Sequence, residues 1–413
     1  MELLEISHIS NDFSGIAIAK DNKKYFVNGV LEQELIELLN YKSYKKYNLV
    51  TNYNLIQKSD KRCEPECKYF GGCGGCDLQY MCDDYYYSKK VEILSNILTK
   101  VCGNIPIINL FKVGKSKRRR LNLKYSNGYF GFFEKNSNNL VKVEKCINVC
   151  DEINEFLPKL DKLCNISNLK SLDIAKVKNG LLLNFIFSQG TDDKTLEEFK
   201  KLLDVEDRLI QISYQKNETA KVKILSTKAK PILELGNFDV EVPAKFFMQA
   251  TDASQNFIIN IILDELKCYK NVLDLYSGIG TYSFPLSDFC HVCSFENDLD
   301  MVKNMNHNIQ RLSIKNIRTK VRDLVKKPLK VYEISDFDAA IINPPRFGAK
   351  NQCKILSESK LRKIVYVSCN PDTLASDMIY LLKNYELKKL FLVDQFYWSK
   401  HMECVCVFEG KEK

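Results

Sequence analysis

Residues 271–296, NVLDLYSGIGTYSFPLSDFCHVCSFE, decide the fold class of this 413-residue chain. Two short apolar runs, Val272–Leu275 and Val292–Phe295, flank a turn of small residues and a helical segment. Runs of this length without polar alternation suit strands covered on both faces. The pattern repeats at Ile317–Val321, Asp338–Ile342 and Ile364–Val367, with helical segments between. Strands alternating with helices predict a doubly wound parallel sheet, whose ligands lie just past the carboxyl ends of the strands. Just past the five runs lie, in turn, Tyr276–Gly280, Glu296, Asp323, Asn343-Pro344-Pro345 and Ser368-Cys369-Asn370-Pro371, all suited to chemistry.

Outward from this core, KLFLVD at 389–394 and CVCVF at 404–408 read as a closing hairpin. Upstream, residues 1–58 carry short alternating runs (GIAIA at 15–19, KYFVNGV at 24–30) that predict a small β-barrel or sheet. Residues 59–87 are rich in Gly, Cys and Tyr, and 88–245 mix strand and helix patterns. The expected domains are thus 1–58, a central α+β region over 59–245, and an α/β region over 246–413. Apolar and charged contents of 45% and 27% are ordinary for a soluble chain, and no apolar run approaches a membrane span. The start, MELLEISHIS, places acid before any apolar core, so the expectation is a cytoplasmic protein without membrane association. A net charge of +9 is compatible with a polyanionic partner. Sixteen cysteines in such a chain suggest metal binding or catalysis, although Cys404 and Cys406, alternating on a strand, read as core packing.

In D-L-Y-S-G-I-G-T at 274–281, Gly278 and Gly280 allow close backbone approach to a ligand. The loop lacks a phosphate-loop lysine and differs from the dinucleotide fingerprint. Glu296, about twenty residues on, is placed to accept from ribose hydroxyls. Asp323 stands where an adenine amino group would lie, and both acids are otherwise solvated loop carboxylates. Together they favour S-adenosylmethionine, which has no phosphates to cradle. Asn370 suits an N-cap and Pro371 a first helical turn, so Cys369 lies beside a helix N-terminus, which predicts a lowered thiol pKa. A thiolate is useful because C5 of uracil is a poor nucleophile: adding sulfur to C6 pushes electron density to C5, which then attacks a sulfonium methyl. The C5 proton must afterwards leave. Glu403 is the expected base, because an antiparallel final strand returns H-M-E at 401–403 to the edge carrying Cys369; His401 orients the loop.

F-M-Q at 247–249, D-L-Y-S-G-I-G-T, F-E at 295–296, N-P-P-R at 343–346, V-S-C-N-P at 367–371 and H-M-E resemble, in order, the motifs of the RNA uracil-5-methyltransferase family. The resemblance implies a Rossmann-like class I methyltransferase domain at the C-terminus. It implies cofactor contacts from Gln249, Tyr276, Thr281, Glu296 and Asp323, with Asn343 grouped among these cofactor-side residues. It also implies Cys369 as nucleophile and Glu403 as base. Where the family usually has Asp, this chain has Asn343, whose amide can either accept or donate. C-K-Y-F-G-G-C-G-G-C at 67–76 resembles the iron–sulfur segment of the family's ribosomal-RNA branch, implying a [4Fe–4S] cluster on Cys67, Cys73, Cys76 and Cys146. The alternative is zinc closed locally by Cys63. Residues 1–58 resemble the branch's small RNA-binding (TRAM-like) barrel, with Gln33 where a glycine is usual. The run Lys115, Lys117, Arg118, Arg119, Arg120 reads as a phosphate-contacting patch or a solvated turn. The implied partner is RNA, 23S ribosomal RNA first and transfer RNA second, with no obligate protein partner evident. An amino-group methyltransferase and a non-catalytic RNA-binding protein are the competing readings.

Overall fold

In the computed structural model, which describes residues 2–135, 137–163 and 165–412, the C-terminal region is built on an eight-stranded sheet. Its order is Ile317–Val321, His291–Glu296, Asn271–Leu275, Ala339–Ile342, Lys363–Ser368, Glu403–Gly410, Tyr385–Asp394 and Ile108–Lys112. The first five strands run parallel and fall within about a residue of the expected runs. Asp338 stands just before its strand, its carboxylate accepting from the backbone of Lys270 and Asn271. The chain winds outward from Asn271–Leu275 on one side, then crosses back to begin Ala339–Ile342 on the other. That reversal opens a crevice between the loop after Leu275 and the turn at Asn343, the place where doubly wound sheets bind ligands.

Glu403–Gly410 runs antiparallel to both neighbours, as the hairpin reading expects. The outermost strand, Ile108–Lys112, pairs parallel with Tyr385–Asp394 although it comes from the region read as central. So does helix Asp83–Cys102, which buries Tyr86, Ile93, Leu94, Ile97 and Leu98 in the core shared with the sheet. Nothing local marks these residues as partners of a sheet hundreds of positions downstream; only the apolar face is visible in sequence.

The N-terminal strands Glu2–Ile9, Gly15–Ile18, Lys24–Val27, Asn48–Gln57 and Leu35–Ser43 close into a barrel in that order. Leu4, Ile6, Ala17, Tyr25, Val27, Ile36 and Val50 fill it. Gln33 adopts φ +66°, a backbone state that favours glycine. The next residue, Glu34, is buried and forms a two-pronged pair with Arg62, tying the barrel to the cysteine segment. The middle region is a seven-stranded sheet whose strands include Arg120–Ser126, Leu169–Val177, Gly180–Phe187 and Leu209–Gln215. Helix Asp193–Val205 packs Phe199 and Leu203 onto it. No helix among the described residues is long and apolar enough to cross a membrane.

Candidate active site

The glycine loop leaves strand Asn271–Leu275 through Tyr276 at φ +63°, costly for a non-glycine residue and held by the packing around it. Gly278, at φ +56°, has open space where a Cβ would stand, and its N–H donates to Glu296 Oε2 at 2.9 Å. Gly280 has the positive φ, +85°, that favours glycine, and a Cβ there would also press on Met305 and Phe284 at 2.9 Å. Glu296 Oε1 also accepts from the backbone of Asn297 and Asp298. A cleft of about 940 Å³ opens past this loop, lined by Gly278, Glu296, Asp298, Leu299, Phe246 and Phe247. Beneath the loop, Asp274 is buried with Ser283 as partner to one oxygen while its Oδ1 has none. Burial pushes its carboxyl up to about 7. An unpartnered buried carboxylate oxygen, an open glycine and no phosphate-binding lysine fit a cationic nucleoside such as S-adenosylmethionine. Asp323 caps its own turn, accepting from the backbone of Val325 and Lys326. Thr281 is half-buried at the loop's end.

Cys369 and Glu403 meet where the parallel and antiparallel strands abut. Ser368 and Cys404 are the last pair of the ladder; Cys369 directly follows the one and Glu403 directly precedes the other, close enough for the Glu403 charge to act on the Cys369 thiol. Glu403 is 3% exposed, and burial pushes its carboxyl up to about 7, against hydrogen bonds from Gln395 and Gln249 and the charge of Arg346. The expected lowering of the Cys369 thiol is corrected. Burial first, and facing Glu403 second, push it above its ordinary value, with the Arg346 guanidinium pulling it down. The helix N-terminus acts instead on Asn370, whose Oδ1 caps Asp372 N–H at 3.1 Å.

A chain of side-chain amides runs away from Glu403. Gln395 Nε2 donates to Glu403 Oε2 at 3.0 Å and to Gln249 Oε1 at 2.7 Å. Gln249 Nε2 donates to the Tyr282 hydroxyl at 3.2 Å, and Asn343 Nδ2 reaches the same oxygen at 3.5 Å. Gln249 is therefore engaged within the protein. His401 Nε2 lies 3.5 Å from Arg346, and its carbonyl accepts from the buried Lys90 at 2.9 Å. Lys90 pairs with Asp394 at 2.6 Å, both fully buried, and Tyr86 bonds both Asp394 oxygens. This cluster pins the segment 395–402 to helix Asp83–Cys102.

Cys67, Cys73, Cys76 and Cys146 line one cavity. Burial and the neighbouring thiols push Cys76 up to about 12. Gly75 N–H and Asn148 Nδ2 donate to the sulfurs of Cys73 and Cys76 at 3.4 and 3.3 Å. Arg118 lines the same cavity with its buried Nε unpartnered. Donors on two of the four sulfurs and an unpartnered guanidinium nitrogen fit an anionic, thiolate-held group. The thiols share the cavity without being drawn onto a single ion, and no group of three potential ligands among the described residues has that spacing. Cys63 lies apart, donating to the Gln79 carbonyl and facing Cys82.

The basic run is corrected at Arg119 and Arg120, while Lys115 and Lys117 lie exposed. Arg119 is 1% exposed and serves the Gln249 carbonyl, Asp252 and Gln255. Arg120 binds the Phe246 carbonyl, and Lys115 pairs with Glu66. The partners of Arg119 and Arg120 are distant in sequence, so composition suggested a surface where the fold needed internal donors. Sequence reasoning also missed Tyr282, Gln395 and the role of Arg346. Tyr282 directly follows the quoted glycine motif and Gln395 the closing strand, which is the only local signal either gives.

Residues 87–411 match the model of the tRNA (uracil-5-)-methyltransferase family. An uncharacterized RNA methyltransferase of Agrobacterium fabrum is 30% identical, covering 87% of this chain and 89% of its own. A 23S rRNA (uracil(1939)-C(5))-methyltransferase, RlmD, of Haemophilus parainfluenzae is 28% identical, covering 96% and 94%. The Pyrococcus abyssi tRNA (uracil-54, C5)-methyltransferase, solved with S-adenosyl-L-homocysteine, shares the fold with a TM-score of 0.76 at 20% identity, over 98% of this chain and 100% of that one.

Proposed function

Because the chain belongs to the tRNA (uracil-5-)-methyltransferase family, we propose that it methylates C5 of a uridine in RNA, first of all in 23S ribosomal RNA. The observation that carries this reading is the placement of Cys369 and Glu403 on either side of the terminal Ser368–Cys404 pair, near enough for the Glu403 charge to act on the thiol. S-adenosylmethionine, when bound, supplies the electrophilic methyl group; Gly278, Glu296 and Asp274 are the residues that would hold it, with Tyr276, Thr281 and Asp323 around it. Cys369 Sγ adds to C6 of the ring, and the electron pair released from the C5–C6 double bond makes C5 the nucleophile. Once C5 has gained its methyl, the Glu403 carboxylate takes the C5 proton. The electron pair of that bond re-forms the double bond, and the Cys369 thiolate leaves C6. Arg346 stabilises the thiolate at both ends of the cycle. Reaching C5 requires the uridine to be turned out of its stack.

The choice of ribosomal RNA rests on the RlmD relatives, and a cytoplasmic setting goes with that substrate. The barrel, and the groove between it and the cysteine segment lined by Lys42, Tyr44, Tyr53, Lys58 and Lys135, would track the RNA backbone and its bases. Cys67, Cys73, Cys76 and Cys146 would hold a [4Fe–4S] cluster that ties the segment to the middle sheet, with Arg118 as its counter-charge. Mass mapping of 5-methyluridine in RNA from cells with and without the gene tests the proposal, repeated with Cys369→Ala and Glu403→Gln. The mark should vanish in the deletion and in both variants. An unchanged RNA, or a mark that survives Cys369→Ala, overturns it.

A further inference from the structure

Asparagine at 343 presents a problem of orientation. Its amide can offer either an acceptor or a donor to a bound base, and only one face reads uracil. Uracil carries a hydrogen on N3, whereas cytosine carries a lone pair there. The hydrogen-bond chain behind the residue has a polarity fixed from Ala250 as far as the Tyr282 oxygen. The backbone N–H of Ala250 can only donate, and it points at Gln395 from 2.9 Å, so the atom it meets is Gln395 Oε1. Ser254 Oγ donates to the same oxygen at 2.9 Å. Gln395 therefore turns its Nε2 towards Gln249 Oε1 and Glu403. Gln249 in turn has only Nε2 left for the hydroxyl of Tyr282. That hydroxyl is buried, with the ring 2% exposed, and Asn343 Nδ2 approaches its oxygen.

We propose that Tyr282 is a positioning residue for specificity: by accepting from Asn343 Nδ2, its hydroxyl turns Asn343 Oδ1 into the cleft as the acceptor that selects the N3–H of uracil over cytosine. An aspartate at this position would need no such orientation, because both its oxygens accept. An asparagine does, and a phenol placed against its amide nitrogen provides it. The chain from Ala250 also links reading of the base to Glu403, so the residue that recognises uracil and the base that completes the reaction share one set of hydrogen bonds. This inference rests on the proposed C5 methylation.

The test uses short RNAs identical except for 5-fluorouridine or 5-fluorocytidine at the uridine position that mass mapping identifies. The fluorine blocks C5 deprotonation and leaves the Cys369 adduct trapped for denaturing electrophoresis. The wild-type enzyme is expected to trap the fluorouridine RNA and to discriminate against fluorocytidine. Tyr282→Phe should lower the ratio of the two trapping rates by about tenfold or more, because the amide is then free to turn. Asn343→Asp in the Tyr282→Phe background should restore the ratio, a rescue that mere damage to packing would not give. Thermal melting of each variant controls for folding, and Asn343→Ala, which lacks either face, should abolish discrimination whatever stands at 282. Discrimination unchanged in Tyr282→Phe, or no rescue by the aspartate, overturns the inference while leaving the methylation reading intact. A wild-type enzyme that prefers the fluorocytidine RNA shows the amide facing the other way and also overturns it. Failure of the wild type to trap either RNA removes the methylation reading and the inference with it.

Discussion

At Glu403, burial holds the carboxyl near 7 where an exposed glutamate would titrate near 4.5, with consequences for both catalysis and stability. The proton must be absent for the residue to act as base, so turnover should rise as pH increases through about 7. Stability moves oppositely. A raised native pKa means that the unfolded chain gives up this proton first, so the contribution is complete below about pH 4.5 and lost as pH rises through 7. Glu403→Gln, which keeps an oxygen for Gln395, should match wild type in denaturant unfolding at pH 4. At pH 8 it should be more stable by on the order of 2–3 kcal/mol, while accumulating the RNA adduct; equal stability at both pH values would refute the burial argument. Arg346 is the charge that opposes burial at Cys369. Arg346→Ala should shift the pH dependence of adduct formation upward, measured by trapping rates on fluorouridine RNA, and an unshifted profile would remove its role. Cys369, Glu403 and Asn343 were marked out in the sequence because each follows or begins a strand in a short motif, and the structure has them at those strand ends. Tyr282 and Gln395 were not, since their function lies in bonds to Gln249, itself distant from Gln395 along the chain, and no local pattern encodes a hydrogen bond.

Among the elements, the parallel strands were legible because each is an uninterrupted apolar run bounded by polar turns, as at Ala339–Ile342, buried throughout. The helix Asp83–Cys102 and strand Ile108–Lys112 were read in the wrong company, because joining a sheet edge is decided by tertiary packing rather than by periodicity. Lys90 makes the join chemically specific. Its ammonium and the Asp394 carboxylate are both removed from water, and with Tyr86 they fasten the segment that carries His401 and leads into Glu403. Lys90→Met leaves Asp394 buried beside Tyr86 alone, so a loss of roughly 3–5 kcal/mol in urea unfolding is expected. Adding Asp394→Leu should recover much of it. Additive losses in the double variant would mean that the two charges do not act as a pair.

For the molecule as a whole, the cysteine segment sits between barrel, middle sheet and methyltransferase sheet: Arg62 reaches Glu34, Gly74 N–H donates to the Phe133 carbonyl, and Asp77 and Leu78 donate to the Trp398 carbonyl. Protein purified without oxygen should carry about four irons per chain with matching acid-labile sulfide. Cys146→Ser should lose that iron and the protease resistance of residues 59–82 together. Zinc in place of iron would sink the cluster and favour the simpler metal. The edge strand Ile108–Lys112 has a temporal consequence. During synthesis it leaves the ribosome long before Tyr385–Asp394 exists, and until then its ladder of backbone donors and acceptors has no mate. The sheet thus cannot finish until Tyr385–Asp394 has been made and meets this early strand, and a product truncated before it would keep a raw edge open to aggregation.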